Sequence, residues 1–196
     1  MKKIMRILLL FMFFSFAICV SAQQTNRFHL WSFHSLNNIG LLEGQSGSSF
    51  QLQTINGAQY KSWFGGVGLG LDFYRYRTIP LFFDFRREFG KGVNKLFIYT
   101  DIGVNFPWLT DNEKTYYYTN DKFNNSAYAD FGLGYKLGLG RNNHDHLLLS
   151  LGYSFKKLKE TYNAPEYYYP PAPNTPSKDQ VNYSLNRLSM KIGWAF

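Results

Sequence analysis

Apolar and polar residues alternate along most of this chain with the period of two that is typical of β-strands with two different faces. In the segment LSMKIGWAF, the polar or small positions include Ser189, Lys191 and Gly193. The apolar positions between them are Leu188, Met190, Ile192, Trp194 and Phe196. A strand with this pattern has one face suited to an apolar environment and one suited to a polar environment.

The same alternation recurs in the segments SSFQLQTI, YKSWFGGVGLGLDFYRYR, IPLFFDFRREF, KLFIYTDIGVNF, SAYADFGLGYKLGLG and LLLSLGYSFKKLK. One more strand is expected within RFHLWSFHSLNNIGLL, where the alternation is poor. Asn56-Gly57 predicts a two-residue hairpin turn. Further short turns are expected at Gly90–Asn94 and Arg141–His144, and longer connections at Pro107–Asn124 and Glu160–Gln180.

The two faces of these strands differ in chemistry. One carries almost only apolar and aromatic side chains, and the other carries many glycines together with Phe64, Phe97, Tyr99 and Tyr128. The second face also carries eleven charged residues, which are Asp72, Asp84, Arg86, Glu88, Lys95, Asp101, Asp130, Lys136, Lys156, Arg187 and Lys191. Small residues suit a narrow interior that must also hold aromatic rings, whereas a solvated exterior has no need of them. The charged face is therefore predicted to point inward, which disfavours a soluble lipocalin-like barrel.

Eight strands are the smallest number that closes a barrel filled by side chains, and bacterial membrane barrels have even strand counts. The predicted fold class is therefore all-β, an eight-stranded antiparallel transmembrane up-and-down β-barrel. The outward apolar face would meet lipid. We expect short turns on the periplasmic side and longer loops outside.

The first residues predict an export signal. Lys2, Lys3 and Arg6 precede an apolar run over 7–20, and small residues lead up to a cleavage position after Ala22. The run is short of the roughly 20 residues that a spanning helix needs, although a retained N-terminal anchor is the alternative. Residues 1–22 are thus predicted to be a signal peptide and 23–196 the barrel domain. Cys19 would leave with the peptide.

Composition narrows the possible functions. The formal net charge is +8, yet an exported barrel does not meet nucleic acid, so the charge does not indicate nucleic-acid binding. The glycine-rich run GGVGLG lacks the spacing of a nucleotide-binding loop, and no helix is expected after it. His144-Asp145-His146 offers two metal ligands, which do not make a site. We expect no cofactor and no metal.

The export signal, the alternating strands and the final apolar stripe resemble the outer-membrane β-barrel proteins of Gram-negative bacteria, in particular the outer-membrane protein A/X-like barrels. The resemblance implies an outer-membrane location. It also implies that the barrel-assembly machinery reads the final aromatic strand, so that Leu188, Met190, Ile192, Trp194 and Phe196 form an assembly signal. We expect a monomer.

The charged interior has two readings. Buried charges are costly unless paired, so the residues are expected to form a salt-bridged plug that keeps the barrel closed. The alternative is a narrow polar pore, that is, a small porin-like channel.

Outward cations are expected where two strands leave the membrane. Arg75 and Arg77 continue one apolar stripe, and Lys157 and Lys159 continue another. Anionic phosphates of lipopolysaccharide would lie at that level, and Arg and Lys suit them. The alternative is that these residues form solvated loop bases.

Tyrosines concentrate in the two long connections, at Tyr116, Tyr117 and Tyr118 and at Tyr167, Tyr168 and Tyr169. Tyr gives a large contact area at low entropic cost, so these loops could bind an extracellular protein or glycan. The alternative is that they belong to strands that extend above the membrane.

Catalysis has little support in the sequence. His34 precedes Ser35, and a His-Ser pair occurs in some barrel enzymes that act on lipid A, but the companion residues are not recognisable. The sequence therefore predicts a non-enzymatic outer-membrane barrel with a structural or surface-interaction role. A lipid A-modifying enzyme is the alternative from another class.

Overall fold

Alternating side chains fold into strands throughout the part of the chain that the structure describes. The structure is a computed structural model that describes residues 31–45, 47–73, 77–108, 119–139, 145–163 and 178–196. Within these ranges the strands are β1 Trp31–Glu43, β2 Ser49–Tyr60, β3 Trp63–Phe73, β4 Arg77–Phe89, β5 Lys95–Pro107, β6 Thr119–Asn124, β7 Ser126–Leu139, β8 Asp145–Asn163 and β9 Lys178–Ala195. The signal peptide at 1–22, Arg75 and both tyrosine groups lie outside the described residues.

The strands close into one antiparallel ring in the order β1-β2-β3-β4-β5-β7-β8-β9, with β9 paired back onto β1. β6 does not add a member to this ring. Asn124 pairs with Lys159 and Tyr128 pairs with Lys156, so β6 and β7 follow one another along β8. The nine segments therefore make an eight-stranded antiparallel barrel, which confirms the predicted fold class.

The register sets the tilt of the strands. Following cross-strand partners once round the ring from Ser32 leads back to β1 at Leu42, ten residues further along the same strand. The partners met on the way are Gln59, Phe64, Arg86, Tyr99, Gly132, Gly152 and Ser189. This displacement over eight strands corresponds to a tilt of roughly 40°. An interior of this size is filled by side chains.

The hairpin predicted at Asn56-Gly57 is wrong. β2 continues to Tyr60, which pairs with Trp63, and the turn is made by Lys61 and Ser62. Lys61 takes the positive φ of 55° that this tight turn needs. The longer strand matches β1, which pairs with β2 from Leu42 down to Trp31. Gly57 allows the close approach of β2 and β3, since a Cβ there would collide with the backbone of β3.

The two long connections are shorter than predicted. Part of the first, Thr119–Asn124, is strand β6. Part of the second is also strand, since β8 runs on to Asn163 and β9 begins at Lys178. The other end of the barrel has the turn at Lys61-Ser62 and the predicted turn after Phe89, where Gly90 and Gly92 have positive φ. We call the end with the two long connections the loop end, and the end with these two turns the turn end.

The alternation separates two environments. Outward side chains form an apolar band round the barrel, with exposures such as 60% for Phe83 and 65% for Leu133. The inward positions between them are buried and mostly polar, charged or glycine. Among the described residues there is no helix long and apolar enough to span a membrane.

Candidate functional site

The barrel interior holds all eleven charged residues of the predicted inward face. Nine are buried, and Glu88 and Lys95 are half-buried near the turn end. Ten of the eleven form a central cluster, an outer cluster towards the loop end and a basal cluster towards the turn end, and Arg187 makes separate contacts. The central cluster consists of Asp84, Arg86, Asp101, Asp130 and Lys191, the outer cluster of Asp72, Thr78 and Lys156, and the basal cluster of Glu88, Lys95 and Lys136.

A row of three carboxylates forms the base of the central cluster. Asp84 on β4 pairs in register with Asp101 on β5, and Asp101 pairs with Asp130 on β7. All three side chains are fully buried. Like charges on neighbouring strands repel each other, so this row needs cations close by.

Lys191 supplies one of those cations. Its Nζ lies 2.9 Å from Asp130 Oδ2, 3.4 Å from Gln53 Oε1 and 4.4 Å from the centre of the Tyr99 ring. Asp130 also accepts hydrogen bonds through Oδ1, from the Tyr99 hydroxyl at 2.9 Å and from Ser189 Oγ at 3.0 Å. Charge pairing and several hydrogen bonds together make this buried pair tenable.

Arg86 neutralises the other end of the row. Its Nε lies 2.9 Å from both carboxylate oxygens of Asp84, and a second guanidinium nitrogen lies 2.8 Å from Oδ2. The guanidinium carbon also lies 5.4 Å from the centre of the Phe97 ring and 5.7 Å from that of Tyr99. Arg suits this position because its planar group can bond a carboxylate and stack on aromatic rings.

Asp101, in the middle of the row, is the least satisfied carboxylate of the three. Neither of its oxygens has a hydrogen-bond partner among the described residues. Its nearest cation is Lys191, whose Nζ lies 3.6 Å from Oδ2. The central cluster thus has three acids and two bases.

The outer cluster lies towards the loop end. Lys156 Nζ contacts Asp72 and lies 3.0 Å from Thr78 Oγ1. It also makes a cation–π contact with Tyr128, at 5.3 Å from the centre of the ring. The Tyr128 hydroxyl in turn accepts a hydrogen bond from Gln53 Nε2 at 2.9 Å. The cluster thereby joins β3, β4 and β8 to residues on β2 and β7.

Arg187 ties the connection between β1 and β2 to the barrel wall near the loop end. One guanidinium nitrogen donates to the carbonyl of Leu42 at 3.1 Å, to the carbonyl of Gly47 at 2.6 Å and to Ser49 Oγ at 2.7 Å. Two backbone carbonyls and one hydroxyl therefore accept hydrogen bonds from this buried cation.

The basal cluster is simpler. Glu88 accepts from Lys95 through one oxygen and from Lys136 through the other, both at 2.7 Å. The gap between these residues, His34 and Phe97 has a volume of about 20 Å³, which is room for about one water molecule. Side chains therefore fill most of the interior at this level.

Glycines create the space in which the interior aromatic rings lie. Tyr99, Gly132, Gly152 and Ser189 are successive partners in one row, and the Tyr99 hydroxyl reaches to 3.4 Å from Ser189 Oγ across both glycines. A Cβ on Gly152 would collide with that hydroxyl. Large and small residues thus interlock across strands.

Phe82 shows the same arrangement on the other side of the ring. Its cross-strand partners are Gly68 and Gly103, and the centre of its ring lies 5.4 Å from that of Tyr128, with the ring planes tilted by 51°. A Cβ on Gly68 would collide with the Phe82 ring and lie 3.0 Å from Ile55. The sequence prediction that inward glycines accommodate aromatic rings agrees with this packing.

The contacts of several interior residues were not predicted from the sequence, although Tyr128 was placed on the inward face. Gln53, Thr78, Tyr128 and Ser189 hold charged groups or each other, as described above. Each occupies an inward position of the alternating pattern, so its face was predictable. Its partner was not, because the partners lie on strands far apart in the sequence.

The outward cations of the loop end differ in their surroundings. Arg77 begins β4 instead of ending β3, is half-buried, and lies 5.4 Å from the centre of the Trp108 ring. Lys157 is exposed on β8 and lies 6.0 Å from the centre of the Phe155 ring, and Lys159 is half-buried. Each lies just beyond the apolar band.

The five apolar residues of the expected assembly signal all point outward along β9, where each is between 46% and 60% exposed. These are Leu188, Met190, Ile192, Trp194 and Phe196. Phe196 also exchanges two backbone hydrogen bonds with Ser35, at 2.9 and 3.1 Å. The final part of the chain, from Leu188 to Phe196, is thereby joined to β1.

His34 does not face the apolar band. It lines the interior at the turn end beside Glu88 and Lys136, and its Nε2 lies 3.0 Å from Ser32 Oγ. Ser35 is buried where β1 meets the end of β9. Among the described residues, no group of three or more His, Cys, Asp or Glu side chains is placed to hold a metal ion.

Comparison with known proteins finds similarity at the level of structure. No family model matches the sequence, and no curated protein matches it. The outer membrane protein OprG from Pseudomonas aeruginosa has a similar structure, with a TM-score of 0.56 and 12% identity, over 83% of this chain and 94% of that one.

Two further structures are less similar. The outer membrane protein AlkL, solved by solid-state NMR in lipid bilayers, has a TM-score of 0.49 and 11% identity over 85% of this chain and 88% of that one. A designed transmembrane β-barrel has a TM-score of 0.36 and 13% identity over 83% and 93%. At identities this low, structural similarity shows the fold alone, and the fold assignment here rests on the similarity to OprG. The chain has the eight-stranded barrel fold of small outer-membrane proteins, as its sequence pattern implied.

Proposed function

We propose that this chain is a non-enzymatic integral outer-membrane β-barrel with a structural or surface-interaction role. The observation that carries the proposal is the contrast between its two faces. The outward face is an apolar band, and the inward face holds charged residues that pair with one another. Lipid suits the first face, and a filled interior suits the second.

Paired charges support a closed barrel. The central, outer and basal clusters link six of the eight strands, and the gap beside Glu88 has room for about one water molecule. An ion moving through this space would have to separate buried ion pairs, which is costly.

A narrow pore is the second candidate because some buried interior atoms lack protein partners. Among the described residues these include Gln51 Oε1, Asn105 Oδ1 and Ser154 Oγ, all nearer the loop end than the basal cluster. Buried polar atoms are usually bonded to protein or water. A water path through the interior would turn the plug into a small channel.

Single-channel conductance in a planar bilayer decides between these candidates. Protein whose folding has been checked by heat-modifiable gel migration is expected to give no steady current. Steady current through the folded protein would overturn the closed barrel.

An enzyme assay on the same sample tests the other class of function. We expect no turnover of acylated lipid, because His34 points into the interior at the turn end, away from lipid. Turnover that disappears in His34→Ala would overturn the non-enzymatic proposal.

The cations of the loop end are proposed to contact lipopolysaccharide. Arg77, Lys157 and Lys159 lie just beyond the apolar band, where anionic lipid phosphates would meet them, and Arg75 is proposed to join them. Cations beside aromatic rings, as at Arg77 with Trp108, suit a membrane interface.

Binding of lipopolysaccharide can be tested with a matched pair of variants. The double variant Lys157→Gln with Lys159→Gln is expected to lose lipopolysaccharide-dependent thermal stabilisation in mixed vesicles. Lys61→Gln removes an exposed cation at the turn end and is the control. Equal losses in both variants would show a nonspecific charge effect and refute the contact.

The remaining parts of the proposal concern biogenesis and partners. The signal peptide would direct export and be removed after Ala22. The barrel-assembly machinery would read the outward stripe of β9. The loops containing Tyr116–Tyr118 and Tyr167–Tyr169 would offer a surface to an extracellular protein or glycan.

A further inference from the structure

Three uncharged polar side chains interrupt the apolar band on one side of the barrel. Asn37 on β1 and Thr54 and Asn56 on β2 all point outward and are exposed. Asn37 and Thr54 are direct cross-strand partners. In the rest of the described band, between its two rims, Thr100 on β5 is the one other uncharged, non-aromatic polar side chain that points outward and is exposed.

These side chains lie within the apolar band. Ile39 and Leu52 flank them towards the loop end, and Val67 and Leu69 flank them on β3. An amide in hydrocarbon that lacks a hydrogen-bond partner is costly, so polar groups at this depth are usually paired or functional. A single Thr such as Thr100 is a smaller burden than two amides and a hydroxyl together.

Small residues adjoin the three polar ones. Ala58 follows Asn56 on the outward face of β2, and Gly65 is its partner on β3. A Cβ added to Gly65 would have no atom within 4 Å. We call Asn37, Thr54, Asn56, Ala58 and Gly65 the β1–β2 patch. Interfaces between membrane segments are enriched in such a mixture of small and polar residues.

The patch adjoins a groove that has a large side chain at its edge. The groove has a volume of about 600 Å³ and is lined by residues that include Asn37, Thr54, Leu69 and Trp194. Trp194 is the cross-strand partner of Asn37 on β9 and is 46% exposed. A depression and a protruding indole therefore occupy neighbouring positions on one face.

We infer that the β1–β2 patch is the interface through which a second copy of this chain binds in the membrane. The inference rests on the proposed membrane location and replaces the monomer expected from the sequence. In a two-fold interface each copy presents the same surface to the other. Trp194 of each copy can then enter the groove of the other.

The chemistry of the patch favours a second copy over a partner of different chemistry. Asn side chains both donate and accept hydrogen bonds, so two identical patches satisfy one another. The patch has no charge and therefore does not call for an oppositely charged partner. The two asparagines and Thr54 would find in the partner the hydrogen bonds that lipid cannot provide.

Disulfide cross-linking in liposomes tests the interface. Asn37→Cys and Thr100→Cys are each made in the full chain with Cys19→Ser, so that one cysteine remains. Thr100 is the matched control because it also points into the band, on β5, four strands round the ring from β1. On oxidation we expect at least tenfold more covalent dimer from Asn37→Cys. Equal yields from the two would overturn the inference.

Energy transfer between labelled copies provides an independent measurement. The double variant Asn37→Leu with Thr54→Val is expected to weaken association at least tenfold across a series of protein-to-lipid ratios, whereas Thr100→Val leaves it unchanged. Unchanged association in the double variant would also refute the interface.

Folding and insertion are checked first in every sample by heat-modifiable migration and by flotation with vesicles. Apolar replacements on a lipid-facing surface are expected to preserve both. Protein that folds but does not enter vesicles would overturn the proposed membrane function and this interface with it. Protein that inserts without self-association would overturn the interface alone.

Discussion

Lys191 and Ile192 are neighbours on β9, yet they occupy opposite environments. Lys191 is 4% exposed and contacts Asp130, Gln53 and the Tyr99 ring, whereas Ile192 is 60% exposed on the apolar band. Lys191 depends on specific partners, whereas Ile192 needs only apolar surroundings. The comparison shows that the interior of this barrel is specific and its exterior permissive.

The difference follows from how each face gains stability. Buried charges are tolerated only where geometry supplies a partner, so each interior position depends on others. The hydrophobic effect is non-directional, so any apolar side chain of suitable size can serve on the outside. Substitutions should therefore be costly inside wherever a partner is lost, and costly outside only where a charge is introduced.

The largest effect is expected from Lys191→Met. The change leaves the row of three buried carboxylates with Arg86 as its remaining cation in the central cluster. Removing one partner of a buried ion pair costs about 3–5 kcal/mol. Urea unfolding in vesicles, followed by Trp fluorescence, measures the loss. Ile192→Met is the control on the adjacent outward position, and similar losses in both variants would remove the distinction between the faces.

A slightly smaller loss is expected from Ile192→Lys. A Lys facing lipid near the middle of a membrane barrel costs about 2–4 kcal/mol. The same unfolding experiment applies, with Ile192→Leu as a control that should stay within about 1.5 kcal/mol. If Ile192→Lys behaves like Ile192→Leu, the band does not face hydrocarbon and the proposed membrane location fails.

Two glycine substitutions compare packing on the inward and outward faces. Gly68→Ala places a methyl group against the Phe82 ring inside the barrel and is expected to cost about 1–3 kcal/mol. Gly65→Ala adds the same group on the outward face, where it meets no atom of its own barrel within 4 Å, and should not destabilise the barrel itself. Equal denaturation midpoints for the two variants would contradict tight interior packing.

The smallest effect is expected from Asp101→Asn. Asp101 lacks hydrogen-bond partners among the described residues and is one acid more than the two bases of the central cluster can match. Removing its charge should change the free energy of unfolding by about 1 kcal/mol or less. Asp130→Asn is the contrasting variant, since Asp130 bonds Lys191, Tyr99 and Ser189 and its loss should be several times larger. A severe loss in Asp101→Asn would show that its charge is required.

Local signals predicted some elements well and others poorly. Gly90 and Gly92 make the predicted turn because both adopt positive φ. Asn56-Gly57 carries an equally strong turn signal, yet it lies within β2, because pairing with β1 and β3 outweighs local turn preference. β1 itself was hard to define because its inward face mixes Leu36, Asn38 and Leu42.

The sequence by itself determined which side chains point inward and which outward. Successive residues of a strand alternate between the two faces, so the pattern of charges, glycines and apolar residues was readable without coordinates. Closure into eight strands followed from the number of such segments.

Only the tertiary structure decided which inward residues meet. Lys191 and Asp130 lie on strands that do not pair, and Gln53 and Tyr128 lie on opposite parts of the ring. Their contacts depend on the ten-residue displacement of the closed register and on the glycines over which long side chains pass. No local pattern encodes that displacement, because it arises only when the last strand pairs with the first.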